Sequence, residues 1–391
     1  MRKKDLAENA ISLHQKLRGK IAIQSKLTNL RPSDLQLIYT PGVAEVCKKI
    51  HSVPSTKFVL TSKSNNVAII TDGTRILGLG DIGPDAALPV MEGKSVIYRH
   101  FGAISAFPIC LSTTKKSEIV KTILSIEPVF GAINLEDIEF PKVLDISIEL
   151  EKRLAIPVFH DDRHGTAVVA LAALINALKL TKQSLSSVKI VVAGAGSAGY
   201  GISSLLSYAG CKNILVVDSG GAIYKGRTEN MNKYKKEIST VTNPSKQKGT
   251  LSDVMINSDV FIGVSGQKNL VSGTMIQSMG KNPIVLALTN PDPEIAPNIA
   301  KKAGAKIVGT GSYEFENKVN NAVVFPYLMR AILDLGIKKI TNKLLYLSAL
   351  AIANTIPKND LDVSHIIPEL GNKKLQKNIM HILKSKYKKH A

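Results

Sequence analysis

The chain has 391 residues, 44% hydrophobic and 21% charged, a composition that suits a folded protein with room for two cores and excludes a disordered or fibrous chain. Lys and Arg number 51 against 31 Asp and Glu, a formal charge of +20, yet the lysines are scattered, aromatics are only 5%, and no zinc-finger, RRM or basic-zipper pattern goes with them. The charge is therefore read as a general attraction for small anions, with no specific nucleic-acid partner. Cys47, Cys110 and Cys211 lie far apart with no CxxC spacing, which excludes a disulfide scaffold and a thiolate zinc site and points to a reducing compartment.

In chain order, the first stretch, MRKKDLAENAISLHQKLRGK, is basic, but Asp5, Glu8 and Asn9 interrupt any apolar core of signal-peptide length, so a cytoplasmic protein is expected. NVAIIT (Asn66–Thr71) reads as a buried strand running into the glycine-rich loop TDGTRILGLGDIG (Thr71–Gly83), where glycine allows close approach to a ligand. AFPICL (Ala106–Leu111) is a second strand, GAINLEDI (Gly131–Ile138) a third that ends in acids, and IPVF (Ile156–Phe159) a fourth that runs into Asp161 and Asp162. The apolar run Thr166–Leu180 makes a helix of about 23 Å, short of the roughly 30 Å bilayer core, so it is read as a buried helix and no membrane contact is expected. From about Val158 short apolar strands alternate with helical stretches, the pattern of a parallel, doubly wound sheet. The last 60 or so residues read as helical, ending in GNKKLQKNIMHILKSKYKKHA (Gly371–Ala391), amphipathic with Ile379, Ile382 and Leu383 on one face. The fold expected is α/β: a smaller mixed α/β domain at 1–157 for substrate and metal, and a Rossmann-type domain at 158–391 with a helical C-terminal tail.

The strand that opens VKIVVAGAG runs into Gly194, Ala195, Gly196, Ser197, Ala198 and Gly199, a GxGxxG that opens a helix and precedes a second strand ending in Asp218. That context predicts a dinucleotide site: Gly194 for the tight turn, Gly196 for approach to the pyrophosphate, Gly199 for helix–strand packing. Asp218 is placed to accept from the adenosine ribose hydroxyls and to repel a 2′-phosphate, favouring NAD over NADP; Lys225 and Arg227 just beyond reverse that preference if they fold back. The later loops TNPDPE and NKVNNAVVFP emerge at the carboxyl ends of strands, making Asn290, Asn320 and Asn321 candidate cofactor or substrate contacts, or else turn residues. Two acidic pairs, Glu136 with Asp137 and Asp161 with Asp162, each close a buried strand. Converging, they would repel unless a hard divalent ion such as Mg²⁺ or Mn²⁺ sat among them; the alternative for either pair is a helix cap or a salt bridge.

Together the motifs YTPGVAEVC (Tyr39–Cys47), TDGTRILGLGDIG, PVMEGKSVIY (Pro89–Tyr98), NLEDI, HDDRHGTA, GAGSAG, LTNPDPE and VNNAVVFPY resemble malic enzyme, in the order and approximate spacing of its small prokaryotic form. The resemblance implies oxidative decarboxylation of L-malate to pyruvate and CO₂, reduction of NAD or NADP, a Mg²⁺ or Mn²⁺ ion, and a homodimer in which one subunit's residues enter the other's site. By motif, Tyr39 resembles the general acid, Lys94 the general base and Asp161 the carboxylate that orients the lysine. Glu136, Asp137 and Asp162 resemble the metal ligands, and Arg75 the arginine that binds a substrate carboxylate. Asn290 and Asn320 or Asn321 resemble residues near malate and the nicotinamide ribose. For Lys94 to act as base, a pKa lowered by desolvation near Arg75 and the metal is expected. Two departures stand out: Arg163 in place of a commoner glutamine, and DSGG after the second Rossmann strand, which removes positive charge and supports NAD. The rival within the superfamily is a malolactic enzyme that keeps NAD bound and makes lactate; outside it, a metal-independent dehydrogenase would have no use for the acids together.

Overall fold

The computed structural model describes residues 3–387, so the last four residues of the expected tail helix lie outside the described residues. Four strands form the first sheet: β1 (Asn66–Thr71), β2 (Ser105–Cys110), β3 (Ala132–Leu135) and β4 (Val158–His160). All are parallel, in the order β2-β1-β3-β4, and every residue of β1 and β3 is buried, as parallel strands covered on both faces must be. The strand at the head of the expected second segment, Val158–His160, pairs with β3 and so completes this first sheet.

The second sheet has six strands: β5 (Lys189–Ala193), β6 (Asn213–Asp218), β7 (Gly221–Ala222), β8 (Val260–Gly263), β9 (Ile284–Ala287) and β10 (Ile307–Thr310). Their order is β10-β9-β8-β5-β6-β7, parallel apart from the short edge strand β7, which folds back antiparallel on β6. The chain runs outward in one direction from β5 through β6 and in the other through β8, so the order reverses between β5 and β8. A doubly wound sheet binds ligands in the crevice at such a reversal.

Helix Thr166–Thr181 joins the two halves. It is apolar on every face and buried from Ala167 to Leu174, and it packs between helices Ser197–Tyr208 and Asn342–Ala353. By length and composition, Asp161–Thr181 is the one helix among the described residues suited to crossing a membrane; 72% of that apolar window is buried inside the protein, so a core position accounts for its character. Its one buried polar residue, Asn176, is 1% exposed and donates to the carbonyls of Ala353 (2.9 Å) and Ile366 (3.0 Å), tying the C-terminal segment to the core. The tail adds helix Leu375–Ile382, which buries Leu375 and Ile379, and Leu383 follows them into the core.

The first sixty residues are different. Residues 5–60 carry helices and connecting segments that leave many apolar side chains facing outward, with Ile23 at 97% exposure, Leu37 at 74% and Val59 at 83%. Leu171→Ala in the joining helix should lower stability by about 2–5 kcal/mol, the usual effect of emptying a packed leucine site. A lower urea midpoint at unchanged slope is the expected reading.

Candidate active site

Lys94 projects from helix Gly83–Gly102, only 6% exposed. Its ammonium lies 2.6 Å from Glu136 Oε2 and 2.8 Å from Asp161 Oδ2, with the Phe325 ring 4.2 Å away on another side. Burial pulls the Lys94 pKa down, but Asp161 and Glu136 outweigh it and hold the group well above the ordinary ammonium value. The expectation of a lowered pKa is therefore corrected for this arrangement. The reason is geometric: two carboxylates touch Lys94, while Arg75, expected nearby, pairs instead with Asp162 at 3.7 Å at the site's more open edge.

Each carboxylate is aimed by its local backbone. Glu136 follows β3, and Asn134 on that strand donates to Glu136 Oε2 (2.9 Å) while accepting from the Tyr98 hydroxyl (2.6 Å). Tyr98 and Asn134 are both fully buried, so Glu136 is oriented by a closed chain of hydrogen bonds that the motif reading missed. Asp137 turns out of the strand in the left-handed region, φ 48°, and its carbonyl accepts from the Arg75 N–H at 3.2 Å, fixing the DGTR loop beside it. Burial pushes the Asp137 carboxyl up to about 7, and the neighbouring Asp162 and Asp161 charges add to the shift.

Asp161 and Asp162 open a wide turn, Asp161–Gly165, in which the Thr166 N–H bonds back to the Asp161 carbonyl, five residues behind. Such i→i+5 turns recur at functional sites. Gly165 is required there because a Cβ would lie 2.5 Å from Asp161 Oδ1, and Asn321 Nδ2 donates to Asp161 Oδ2 at 3.0 Å. Arg163 points away from the acids, paired with Glu151 at 3.2 Å and lying over the Tyr200 ring. The turn also rests on the helix of the dinucleotide motif, since a Cβ at Gly201 would stand 2.0 Å from the Arg163 carbonyl oxygen. The acidic cluster and the helix that follows the glycine loop are thus packed directly together.

That loop has the shape its sequence predicts. Gly194 has φ 120° and no room for a Cβ, which would stand 2.5 Å from the Val264 carbonyl oxygen, and a Cβ on Gly199 would collide with the Gly194 carbonyl at 1.9 Å. Gly196 faces open space at the N-terminus of helix Ser197–Tyr208, the surface a pyrophosphate needs. Ala195, Ser197 and Ala198 complete the turn between β5 and that helix.

Not every expected residue joins the cluster. The Tyr39 side chain is 70% exposed, and among the described residues no hydrogen bond ties it to Lys94 or the carboxylates. Asn290, exposed beyond β9, has its side chain packed against Gly311, where a Cβ would meet it at 2.7 Å. Asn320 is occupied as a cap, donating to the Gly311 carbonyl (2.9 Å) and accepting from the Ala322 N–H (3.0 Å), whereas Asn321 reaches Asp161.

Asp218 stands at the end of β6 and is also not free. Oδ1 accepts from Arg227 Nη2 (2.8 Å) and the Gly220 N–H (2.9 Å), and Oδ2 from Lys235 Nζ (2.7 Å) and Asn230 Nδ2 (3.2 Å). Burial pushes the Asp218 carboxyl up, but the Lys235 and Arg227 contacts outweigh that and hold it below the usual range.

A buried lysine–carboxylate centre set against a Rossmann cleft defines a nucleotide-dependent enzyme acting on a small polar substrate. Comparison with known proteins narrows the class. Residues 18–119 match the malic enzyme N-terminal domain and residues 164–385 the malic enzyme NAD binding domain. The chain is 46% identical over 370 residues to the bifunctional malic/malolactic enzyme of Bacillus subtilis (strain 168), covering 95% of this chain and 90% of that one. It is 40% identical over 352 residues to the NADP-dependent malic enzyme of Escherichia coli (strain K12), covering 89% of this chain but 46% of that longer protein. The crystal structure of NAD-dependent malic enzyme from Thermotoga maritima superposes with a TM-score of 0.92 at 42% identity, covering 96% of this chain and 98% of that one. The chain belongs to the malic enzyme family.

Lys94→Met should destabilise the protein by about 3–5 kcal/mol, because it leaves the buried Asp161 and the largely buried Glu136 without their cation. Chemical denaturation without divalent ions checks this; an unchanged midpoint would mean that the lysine does not hold the two carboxylates.

Proposed function

We propose that the protein is a malic enzyme, converting L-malate to pyruvate and CO₂ with reduction of NAD⁺ or NADP⁺, and that Glu136, Asp137 and Asp162 hold a Mg²⁺ or Mn²⁺ ion. The observation that carries the metal assignment is a surplus of hard oxygen ligands. Four carboxylates gather around Lys94 and Arg75, and on one of the three proposed ligands a buried oxygen, Asp137 Oδ2, has no hydrogen-bond partner. Buried carboxylate oxygens without partners are costly, and an oxygen-coordinated ion satisfies them. Among the described residues no three acids are already gathered in ligand geometry, which fits Lys94 standing between them as the resident cation. An ion held by Glu136, Asp137 and Asp162 would supply Lewis-acid polarisation of the malate hydroxyl and carboxylate oxygens, and its charge would offset that of Glu136, which holds Lys94 protonated.

The chain's own residues then divide the work. Arg75, 42% exposed in its side chain, offers its guanidinium to a substrate carboxylate at the mouth of the site. Lys94, released from Glu136 and still oriented by Asp161, takes the hydroxyl proton as hydride passes from C2 to the nicotinamide. The ketone so formed loses C4 as CO₂ when the C3–C4 bond breaks, leaving the enolate of pyruvate; Tyr39 protonates C3 to complete pyruvate, and the proton held by Lys94 passes back to Tyr39. Asn321 keeps Asp161 aimed at Lys94, and Asn290 and Asn320 contribute to the malate and nicotinamide-ribose pocket. The glycine loop Gly194–Gly199 carries the pyrophosphate. Substrate and metal fall to the first domain, residues 1–157 together with β4 and the acids after it, and the nucleotide to the remainder.

The active form we propose is a homodimer. An exposed Tyr39 among outward-facing Leu37, Ile38 and Val43 fits a segment that is covered by a second subunit and delivers its tyrosine to that subunit's Lys94. The three cysteines are free, in keeping with a cytoplasmic, reducing location.

With L-malate, Mn²⁺ and NAD⁺, the purified protein should yield pyruvate and NADH in equal amounts, and none of either after EDTA. Lactate without NADH would favour the malolactic activity that the name of the Bacillus subtilis relative includes. Oxaloacetate without pyruvate would contradict the roles given to Tyr39 and the metal. Tyr39→Phe should lower kcat by a factor of about 10² or more, the usual range for loss of a general acid. If sites are shared between subunits, mixing and reassociating inactive Tyr39→Phe and Lys94→Ala proteins should restore part of the activity; no recovery would place both residues in one subunit.

A further inference from the structure

The adenosine end of the dinucleotide cleft is a cavity of about 740 Å³ lined by Asp218, Gly220, Arg227, Glu229, Lys248 and Asp253, among others. In a free state, an acid at the end of the second Rossmann strand accepts from the ribose hydroxyls and repels a 2′-phosphate. Asp218 is not in that state. Its two oxygens already accept four hydrogen bonds, about the number a carboxylate can take, and two of the donors are full positive charges.

Both cations are built into the fold. Arg227, 8% exposed, also donates to the carbonyls of Gly221 (3.1 Å) and Ala222 (3.3 Å), which seats it across the β6–β7 turn. Gly220 makes this possible, because a Cβ there would lie 2.4 Å from Arg227 Nη2. Lys235, also 8% exposed, uses its remaining donors on the Asn230 carbonyl (2.8 Å) and side-chain oxygen (3.1 Å). The rest of the cavity is close to balanced: Lys248 and Glu229 carry one charge of each sign, and Asp253 is engaged by the Thr250 N–H and hydroxyl, both at 2.7 Å.

We propose that Arg227 and Lys235 are specificity-determining residues, which by engaging both oxygens of Asp218 cancel its charge and open the adenosine end of the cleft to NADP as well as NAD. The inference rests on the dinucleotide reading of the glycine loop and deepens it. NAD loses its usual advantage because Asp218 has no acceptor to spare for a ribose hydroxyl. NADP loses its usual penalty because the nearest carboxylate is already neutralised by two cations.

Calorimetric titration of the full-length protein with NAD⁺ and with NADP⁺, without malate, tests this apart from turnover. The two dissociation constants should lie within about tenfold of each other, a gap of about 1.4 kcal/mol or less. Lys235→Met returns charge to Asp218 and should weaken NADP⁺ by about tenfold or more while changing NAD⁺ by less than about threefold; Lys235→Arg should keep the wild-type ratio. A wild-type gap wider than about tenfold in favour of NAD⁺ would overturn the proposal, as would a Lys235→Met protein that loses both nucleotides in equal proportion, which marks a purely structural lysine. Binding of neither nucleotide to the wild type would sink the dinucleotide reading and this inference with it.

Discussion

A buried ammonium clasped by two carboxylates is the constraint on which the rest of the site depends. Lys94 comes from the helix before β2, Glu136 from the end of β3 and Asp161 from the turn after β4, so one cation joins three stretches of chain that the fold brings together. Burying an ion pair is of little net benefit to stability; removing one partner is what is costly. The neighbourhood is accordingly over-determined. Tyr98 and Asn134 fix Glu136, Asn321 fixes Asp161, and Phe325 from a C-terminal helix closes the last side of Lys94. Two carboxylates of the cluster, Asp137 and Asp161, each keep one buried oxygen without a hydrogen-bond partner; the one on Asp137 is the feature on which the proposed divalent ion rests.

Much of this was legible in the residues. Buried parallel strands announce themselves as continuous apolar runs, and β1, β3, β5 and β6 fall within the runs read as strands. The glycine loop was legible because its three glycines have separate steric duties that no other residue meets, and the structure shows the collisions a Cβ would cause at Gly194 and Gly199. The acids were legible because two pairs at strand ends require a reason. What remained hidden depends on pairings distant in sequence. Tyr98 and Asn134 look like ordinary core and strand residues until the fold brings the Tyr98 hydroxyl within 2.6 Å of Asn134 Oδ1. Lys94 was one lysine among many without the family motif, and that Glu136 and Asp161 touch it while Arg75 pairs elsewhere is decided by topology alone.

The nucleotide half carries the same lesson in another form. A strand ending in Asp218 predicts the position of a carboxylate but not whether it is free. Lys235 lies 17 residues further on, in the first turn of helix Lys233–Val241, and nothing local marks it as a partner of Asp218. Arg163 shows the reverse: it stands beside two acids in sequence, yet the wide turn at Asp161–Gly165 directs it to Glu151 and the Tyr200 ring. Adjacent residues on such a turn face different ways, so sequence proximity to a site is poor evidence of membership.

The account stands or falls on what occupies the space among the acids. The most direct measurement is a crystal structure of the protein grown or soaked with Mn²⁺, with the ion located by its anomalous scattering. One strong peak within about 2.0–2.6 Å of oxygens from Glu136, Asp137 and Asp162, the span of hard-cation–oxygen distances, with Lys94 withdrawn from Glu136, is the result predicted. A peak elsewhere, or none at saturating Mn²⁺ with Lys94 still clasped between Glu136 and Asp161, would contradict it.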